Sequence, residues 1–178
     1  MSVRSALAGV LCLALSACGA NGGDLRAGER SLTAPDQSYR VWYLAPPWTL
    51  VSAGGTHAVI QIPAADNPHV VATVRGSVMK LTVDVVAQTP AAVLAAFQGI
   101  ANTAPEWPLY SARPVFLAQG VAAMELAYGS YTHVVRVVAA PISGGRTLVL
   151  AFESVEAIEN DTEVTAMIGE VETMGIGP

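Results

Sequence analysis

Cysteine and lysine are almost absent from this sequence. The chain of 178 residues contains two cysteines, Cys12 and Cys18, and one lysine, Lys80. Both cysteines fall in a processing signal near the N-terminus, so neither a disulfide nor a thiolate nucleophile is expected in the folded part. There are 9 basic side chains against 14 acidic ones, which gives a net charge of −5. Binding to nucleic acid through its phosphates is therefore not expected.

Charged residues and long apolar runs are scarce as well. Charged residues make up 13% of the chain and hydrophobic ones 52%, a balance typical of a folded domain and not of a disordered chain. A membrane-spanning helix needs about 18 or more consecutive apolar residues, and no such run follows Cys18. The length suits one domain of ordinary size and argues against a multidomain enzyme.

The first 17 residues are organised like a secretory signal peptide. Arg4 supplies the positive charge, and the apolar core over residues 6–15 is too short to span a bilayer. The core leads into Leu15-Ser16-Ala17-Cys18, which resembles the lipobox of bacterial lipoproteins. The resemblance implies cleavage before Cys18, attachment of diacylglycerol to its thiol and acylation of its new amine. An ordinary secretory signal that ends before a cysteine is the alternative.

The implied anchor sets the expected location and domain organisation. Lipid chains on Cys18 would hold the protein on a membrane of the cell envelope. Gly19 stands where an aspartate commonly retains a lipoprotein in the inner membrane, which favours the outer membrane of a diderm cell. We expect a signal peptide over residues 1–17, the lipidated Cys18 with a flexible tether up to residue 38, and a single globular domain over residues 39–178.

Most of the domain alternates apolar and polar residues, a pattern that predicts β-strands. Within residues 80–85, for example, Leu81, Val83 and Val85 fall on one face. Glycine and serine supply turns between the later strands, at Gly129-Ser130 and at residues 143–146. Strands are predicted at residues 39–43, 58–62, 70–74, 80–85, 115–117, 121–128, 133–139 and 147–152.

Two helices complete the pattern. Thr89 suits an N-cap and Pro90 the first helical position. Residues 160–163 resemble a capping box before a second helix that is predicted to reach Met174. The apolar stripes that follow these two starts are Val93, Leu94, Phe97, Ile100 and Ala101 in the first helix, and Val164, Met167, Ile168, Val171 and Met174 in the second. Strands with one helix in the middle and one at the end predict an α+β domain, a mostly antiparallel sheet flanked by helices.

Four segments are similar to the PsbP/Mog1-like superfamily. They are Tyr43-Leu44-Ala45-Pro46-Pro47-Trp48, the helix that starts at Thr89-Pro90, the spacing Gly120, Glu125, Tyr128, and residues 147–152 with the closing helix. The resemblance implies a sandwich in which an antiparallel sheet lies between helices. It also implies no enzymatic activity and no cofactor, because members are mostly accessory or adaptor proteins that bind a larger partner.

Aromatic residues are few, 6% of the chain, and they cluster in two places. Trp42, Tyr43 and Trp48 lie close together, while Trp107 and Tyr110 fall in residues 102–114, whose prolines predict an exposed loop. Because Trp and Tyr anchor many interfaces, one hypothesis is that Trp48, Trp107 and Tyr110 line a groove for a partner or ligand. The alternative is that Trp42 and Trp48 fill the core at the edge of the sheet.

Candidate metal ligands are scattered. A metal site would require His57, His69 and Asp66 to converge from neighbouring loops, whereas surface histidines are the ordinary explanation, so no metal site is expected. Seven of the 14 acidic residues lie at 153–172, and no basic residue follows Arg146. This acidic stretch would suit a basic partner or a divalent cation, and a solvated helix face is the alternative.

No catalytic frame is recognisable. Ser130, His133 and Glu125 could be drawn as a triad, but they share one strand–turn–strand segment and lack a nucleophile elbow. We therefore predict a non-catalytic, lipid-anchored bacterial envelope protein, an adaptor that binds another, unidentified envelope protein. The alternative is a small-molecule or ion-binding lipoprotein with a pocket between sheet and helix.

Overall fold

A computed structural model describes residues 27–63, 77–103, 106–130, 133–155 and 162–174 of the chain. Within these ranges neither α-helix is long and apolar enough to cross a membrane. Two short 3₁₀ turns, Ala118–Gly120 and Ser143–Gly145, join strands. The other elements are β1 (Glu29–Thr33), β2 (Tyr39–Leu44), β3 (Thr49–Gly54), β4 (His57–Pro63), β5 (Ser77–Val86), α1 (Pro90–Thr103), β6 (Leu109–Phe116), β7 (Ala122–Ser130), β8 (His133–Ile142), β9 (Arg146–Ser154), α2 (Thr162–Gly169) and β10 (Glu172–Thr173).

Three strands form a small antiparallel sheet in the order β1-β2-β10. In β1, Glu29 lies opposite Leu44 and Thr33 opposite Arg40. The predicted tether up to residue 38 is therefore wrong for residues 29–38. Polar residues dominate this stretch, but pairing with β2 satisfies its backbone, and Leu32 is buried in the core.

Seven strands form a large antiparallel sheet in the order β3-β4-β5-β9-β8-β7-β6. Alternation along its central strands separates two cores, because successive side chains point to opposite faces. In β9, Leu150 packs into the core shared with the small sheet and α2, whereas Val149 packs into the core shared with α1. The α+β architecture predicted from the sequence is confirmed.

Helix α1 begins as predicted. The hydroxyl of Thr89 accepts a hydrogen bond from the backbone N–H of Ala92 at 3.3 Å, which caps the first turn. The side chains of Val93 and Leu94 are buried in the core that α1 shares with the large sheet, but Ile100 of the predicted stripe is 49% exposed. The helix therefore covers part of the sheet with a narrower apolar face than the sequence predicts.

Other predicted boundaries differ from the structure. Strand β6 begins at Leu109, so the predicted loop over residues 102–114 is wrong for its second half. Helix α2 ends at Gly169, and β10 replaces the predicted helical turns up to Met174 because Glu172 and Thr173 pair with β2. The strand predicted at residues 70–74 and the start of the capping box at Asn160 lie outside the described residues.

Candidate functional site

Trp48 is a core residue. Its side chain is 1% exposed and packs among residues of both sheets. The indole Nε1 donates a hydrogen bond to Oε1 of Glu163 in α2 at 2.6 Å, which gives the buried N–H its acceptor. The expectation that Trp48 lines an open groove is therefore wrong. Trp42 is instead half-buried on the outer side of β2, with the guanidinium carbon of Arg40 5.4 Å from its ring centroid.

Trp107 lies on the opposite face of the large sheet from Trp48. Its ring packs at the margin of the α1 core, with centroids 6.0 Å from Tyr128 and 4.5 Å from His133. The sheet separates the two tryptophans, so they do not share a groove. A contact between Trp107 and a partner stays a prediction.

Trp107 packs against His133, which belongs to a small cluster of ionisable side chains. His133 Nε2 is 3.8 Å from Oε2 of Glu153, and Nζ of Lys80 is 2.9 Å from Oε1 of the same carboxylate. Burial lowers the pKa of His133, and Lys80 adds to that effect while Glu153 opposes it. Burial and the charge of Glu153 raise the pKa of Tyr128 to about 12. The arrangement favours a neutral histidine beside a paired carboxylate.

The triad drawn from the sequence is not assembled. Glu125 has no exposed surface and faces the core shared with the small sheet, where its oxygens accept hydrogen bonds from Arg113 Nε at 3.0 Å and Arg136 Nε at 2.8 Å. His133 lies on the other face, against Trp107. Two guanidinium groups therefore engage the carboxylate that the triad would need.

Of the metal site drawn from the sequence, one residue lies within the described part of the chain. His57 Nδ1 lies 2.6 Å from Oδ1 of Asp84, while His69 and Asp66 are outside the described residues. Across the described ranges no group of three or more histidine, cysteine or acidic side chains is placed to hold a metal ion.

The described acidic residues near the C-terminus lie in different elements. Glu153 and Glu172 lie in strands, and Glu172 pairs with Arg40 at 3.2 Å, so the predicted solvated helix face is wrong for these two. Glu163 is an exposed residue of α2, as that alternative expects, and it accepts a hydrogen bond from the indole of Trp48. Glu156, Glu159 and Asp161 lie outside the described residues.

Tyr110 lies on the free edge of the large sheet. Strand β6 ends the strand order, and the described residues place no further strand beside it. The register shifts between Leu109 and Ser111, which makes Tyr110 the extra residue of a bulge, 45% exposed. Tyr110 is thus exposed, although in a strand and not in the predicted loop, and its contact with a partner or ligand stays a prediction.

The same edge carries apolar residues that the sequence analysis missed. Phe116 is 65% exposed and Met124 40% exposed. Phe116 lies opposite Ala122 and Pro114 opposite Met124, so these four side chains form one block on the α1 face of the sheet. A proline within a strand is typical of an edge strand, and this signal at Pro114 could have revealed the block.

Comparison with known proteins identifies the fold. No protein-family model and no curated protein matches the chain. Among solved structures, the Ran-binding protein Mog1p of Saccharomyces cerevisiae matches with a TM-score of 0.51 and 9% identity, over 82% of this chain and 95% of that one. A mutant of protein Mog1 matches with a TM-score of 0.50 and 9% identity, over 83% and 97%. The domain has the Mog1-like fold.

A third match extends over only part of its counterpart. A protein from Bacteroides thetaiotaomicron VPI-5482 matches with a TM-score of 0.45 and 11% identity over 84% of this chain. The chain spans about half, 50%, of the length of that protein. At 9% identity the two Mog1 matches concern the fold alone, which agrees with the α+β sandwich expected from the sequence.

Proposed function

We propose that this protein is a non-catalytic, lipid-anchored protein of the bacterial cell envelope that binds another envelope protein as an adaptor. The observation that carries the proposal is the β6 edge, defined here as Leu109, Tyr110, Phe116 and Met124. These residues are 36%, 45%, 65% and 40% exposed, respectively. Exposed apolar residues grouped on a free sheet edge are typical of a protein-binding surface.

The edge suits an extended segment of a partner. A strand added beside β6 would use its outer backbone groups, while Tyr110 and Phe116 would provide apolar contacts. Pro114 lacks a backbone N–H, so the edge offers one donor fewer to any strand that pairs with it. Contacts with the side chains of the edge would therefore contribute more to the choice of partner. Mog1p, of the same fold, is described as a Ran-binding protein, which is compatible with protein binding as the use of this fold.

A small-molecule function has less support. Two clefts among the described residues have volumes of about 70 and 80 Å³. Pockets for small molecules commonly have volumes of about 300–1,000 Å³. These clefts are the size of a side chain and not of a metabolite.

The β6 edge can be tested by crosslinking in live cells. Phe116→Glu is expected to lower the yield of the dominant crosslinked envelope partner at least about tenfold, because a buried carboxylate would replace an apolar anchor. Ile100→Glu, at a residue 49% exposed on α1, is the matched control and is expected to leave the yield unchanged. Equal yields from the Phe116→Glu variant and the unaltered protein would overturn the docking site.

Anchoring through Cys18 has a separate test. Cys18→Ser removes the thiol that would carry diacylglycerol, so the protein is expected in the soluble fraction or as an uncleaved precursor. Fractionation and mass spectrometry of the N-terminus measure this. A mature, membrane-bound Cys18→Ser variant would contradict lipidation and leave the protein-binding proposal standing.

A further inference from the structure

Trp107 and His133 lie with the ion pair of Lys80 and Glu153 on the α1 face of the large sheet. We propose that His133 is a pH sensor, whose protonation changes the packing of Trp107 in the segment between α1 and β6. Trp107 lies two residues before β6, so the change would occur next to the strand that carries the proposed docking edge. The inference does not depend on the docking function, because it concerns only the packing of the domain itself.

One ring nitrogen of His133 is buried without a hydrogen bond. Among the described residues Nε2 has no hydrogen-bond partner, and Oε2 of Glu153 lies 3.8 Å from it, beyond hydrogen-bond distance. The His133 side chain as a whole is 29% exposed, so protons from the solvent can reach the ring. The histidine is therefore accessible to protonation, although one of its nitrogens is not accessible to water.

Protonation gives this buried nitrogen a hydrogen that requires an acceptor. Both nitrogens of a charged imidazole carry a hydrogen, so Nε2 then faces Glu153 as a charged donor. A hydrogen bond between such charged groups is about 2.7–2.9 Å long. From their separation of 3.8 Å, the ring of His133 and the carboxylate must therefore approach each other by about 1 Å.

The carboxylate is less free to move than the imidazole. Nζ of Lys80 holds Oε1 of Glu153 at 2.9 Å, and Lys80 is itself buried. His133 has no such bond at Nε2, so we expect its ring to move. Because the ring centroid of His133 lies 4.5 Å from that of Trp107, this movement changes the contact with the indole.

Few other ionisable groups face His133. Lys80 on β5 and Glu153 on β9 are the charged side chains that shift its pKa. Tyr128 on β7 has a pKa raised to about 12 and stays neutral during acidification. Helix α1 contains no ionisable side chain, and Glu106, in the segment before β6, is exposed. A response to mild acid in this cluster is therefore assigned to His133.

Burial determines the direction of the pH dependence. It is the largest influence on the pKa of His133 and lowers that pKa from its ordinary value of about 6.5. The folded domain therefore keeps the ring neutral at a pH where the unfolded chain already binds a proton. The neutral packing contributes fully to stability above about pH 6.5, and this contribution is lost as the pH falls through the pKa of the folded state.

The test follows the indole of Trp107 during acidification. The full-length chain, labelled with ¹⁵N-tryptophan and held in non-ionic detergent micelles, gives one indole signal for each of its 3 tryptophans. The signal that Trp107→Phe removes is the reporter. From about pH 8 to about pH 5 it is expected to shift along one titration curve with a midpoint below about 6.5. Trp48, in the core on the opposite face of the large sheet, is expected not to follow this curve.

Substitution of each histidine identifies the group that titrates. His133→Gln is expected to abolish the pH-dependent shift of the Trp107 signal, because glutamine stays neutral and polar over this range. The chain has two other histidines, His57 and His69. His57→Gln and His69→Gln are the matched controls and are expected to leave the titration curve unchanged.

The two charged neighbours distinguish a sensor from a side chain that only fills space. Lys80→Met is expected to raise the midpoint, because a positive charge near His133 is lost. Glu153→Gln is expected to lower the midpoint, because a negative charge is lost, and each shift is about half a pH unit or more. Circular dichroism verifies that each variant is folded, and a single folded variant is sufficient to test the direction.

Three results would each overturn the inference. They are a Trp107 signal that does not move on acidification, a titration that persists in His133→Gln, and a midpoint that stays unchanged in the folded charge variants. None of these results affects the crosslinking at the β6 edge or the fractionation of Cys18→Ser, so the proposals can fail separately.

Discussion

Replacement of Gly129 by alanine is expected to destabilise the domain by about 4 kcal/mol or more. Gly129 has φ of +152° and lies opposite Val134 in the β7–β8 pair. A Cβ at this position would lie 2.2 Å from the carbonyl oxygen of His133 and 2.7 Å from Cα of Val134. Both neighbours are backbone atoms, so relief requires separation of the paired strands β7 and β8 and not rotation of a side chain.

Thermal unfolding followed by circular dichroism measures this effect. The control is Gly99→Ala in the middle of α1, where an added Cβ meets no atom within 4 Å. Alanine there is expected to stabilise the helix by about 0.5–1 kcal/mol, since it has less conformational freedom to lose than glycine. A Gly129→Ala variant that melts at the temperature of the unaltered protein would contradict the packing of β7 against β8.

Glu125→Gln is expected to lower the free energy of unfolding by about 3–5 kcal/mol. The carboxylate has no exposed surface, and the side chain of Arg136, 2.8 Å away, is 1% exposed. Removal of the negative charge takes the Glu125 carboxylate from a buried guanidinium, and the low local dielectric makes the loss of that ion pair large. Urea denaturation of the folded protein measures the difference.

Arg113→Gln is the matched control for the Glu125 substitution. Arg113 binds the other oxygen of Glu125 at 3.0 Å, but its side chain is 44% exposed, so water can replace it. A loss of about 1 kcal/mol or less is expected. If Glu125→Gln were as mild as Arg113→Gln, the buried charge cluster would not be a main contributor to stability.

Strands with a buried face could be predicted from the sequence. The alternation of Leu81, Val83 and Val85 identified β5, and Thr89 followed by Pro90 identified the start of α1. By contrast, all six residues of β3 are exposed, so its position is set by pairing with β4 and not by its own pattern. The same reason explains β1, in which Leu32 is the only buried residue.

The candidate surfaces could not be predicted from local sequence, because they depend on contacts between residues that are far apart in the chain. Trp48 and Glu163 are 115 positions apart, and the hydrogen bond between them exists only because α2 packs beside β2. Phe116 was placed in a short strand at 115–117, but the prolines before it favoured a loop up to residue 114, so the longer edge strand that carries it was not predicted. An edge strand tolerates proline when the missing N–H would have pointed to solvent.

Pairing of β1 with β2 also limits how far the domain can stand from a lipid surface. A tether of 20 residues, from 19 to 38, would allow a separation of at most about 70 Å in its fully stretched form. Because the small sheet includes the chain from Glu29 onward, the proposed anchor at Cys18 is connected by about half as many residues, with a reach of about 35 Å. With the proposed anchor, Glu29 would stay within about 35 Å of the lipid surface, so a partner would have to reach the domain close to the membrane.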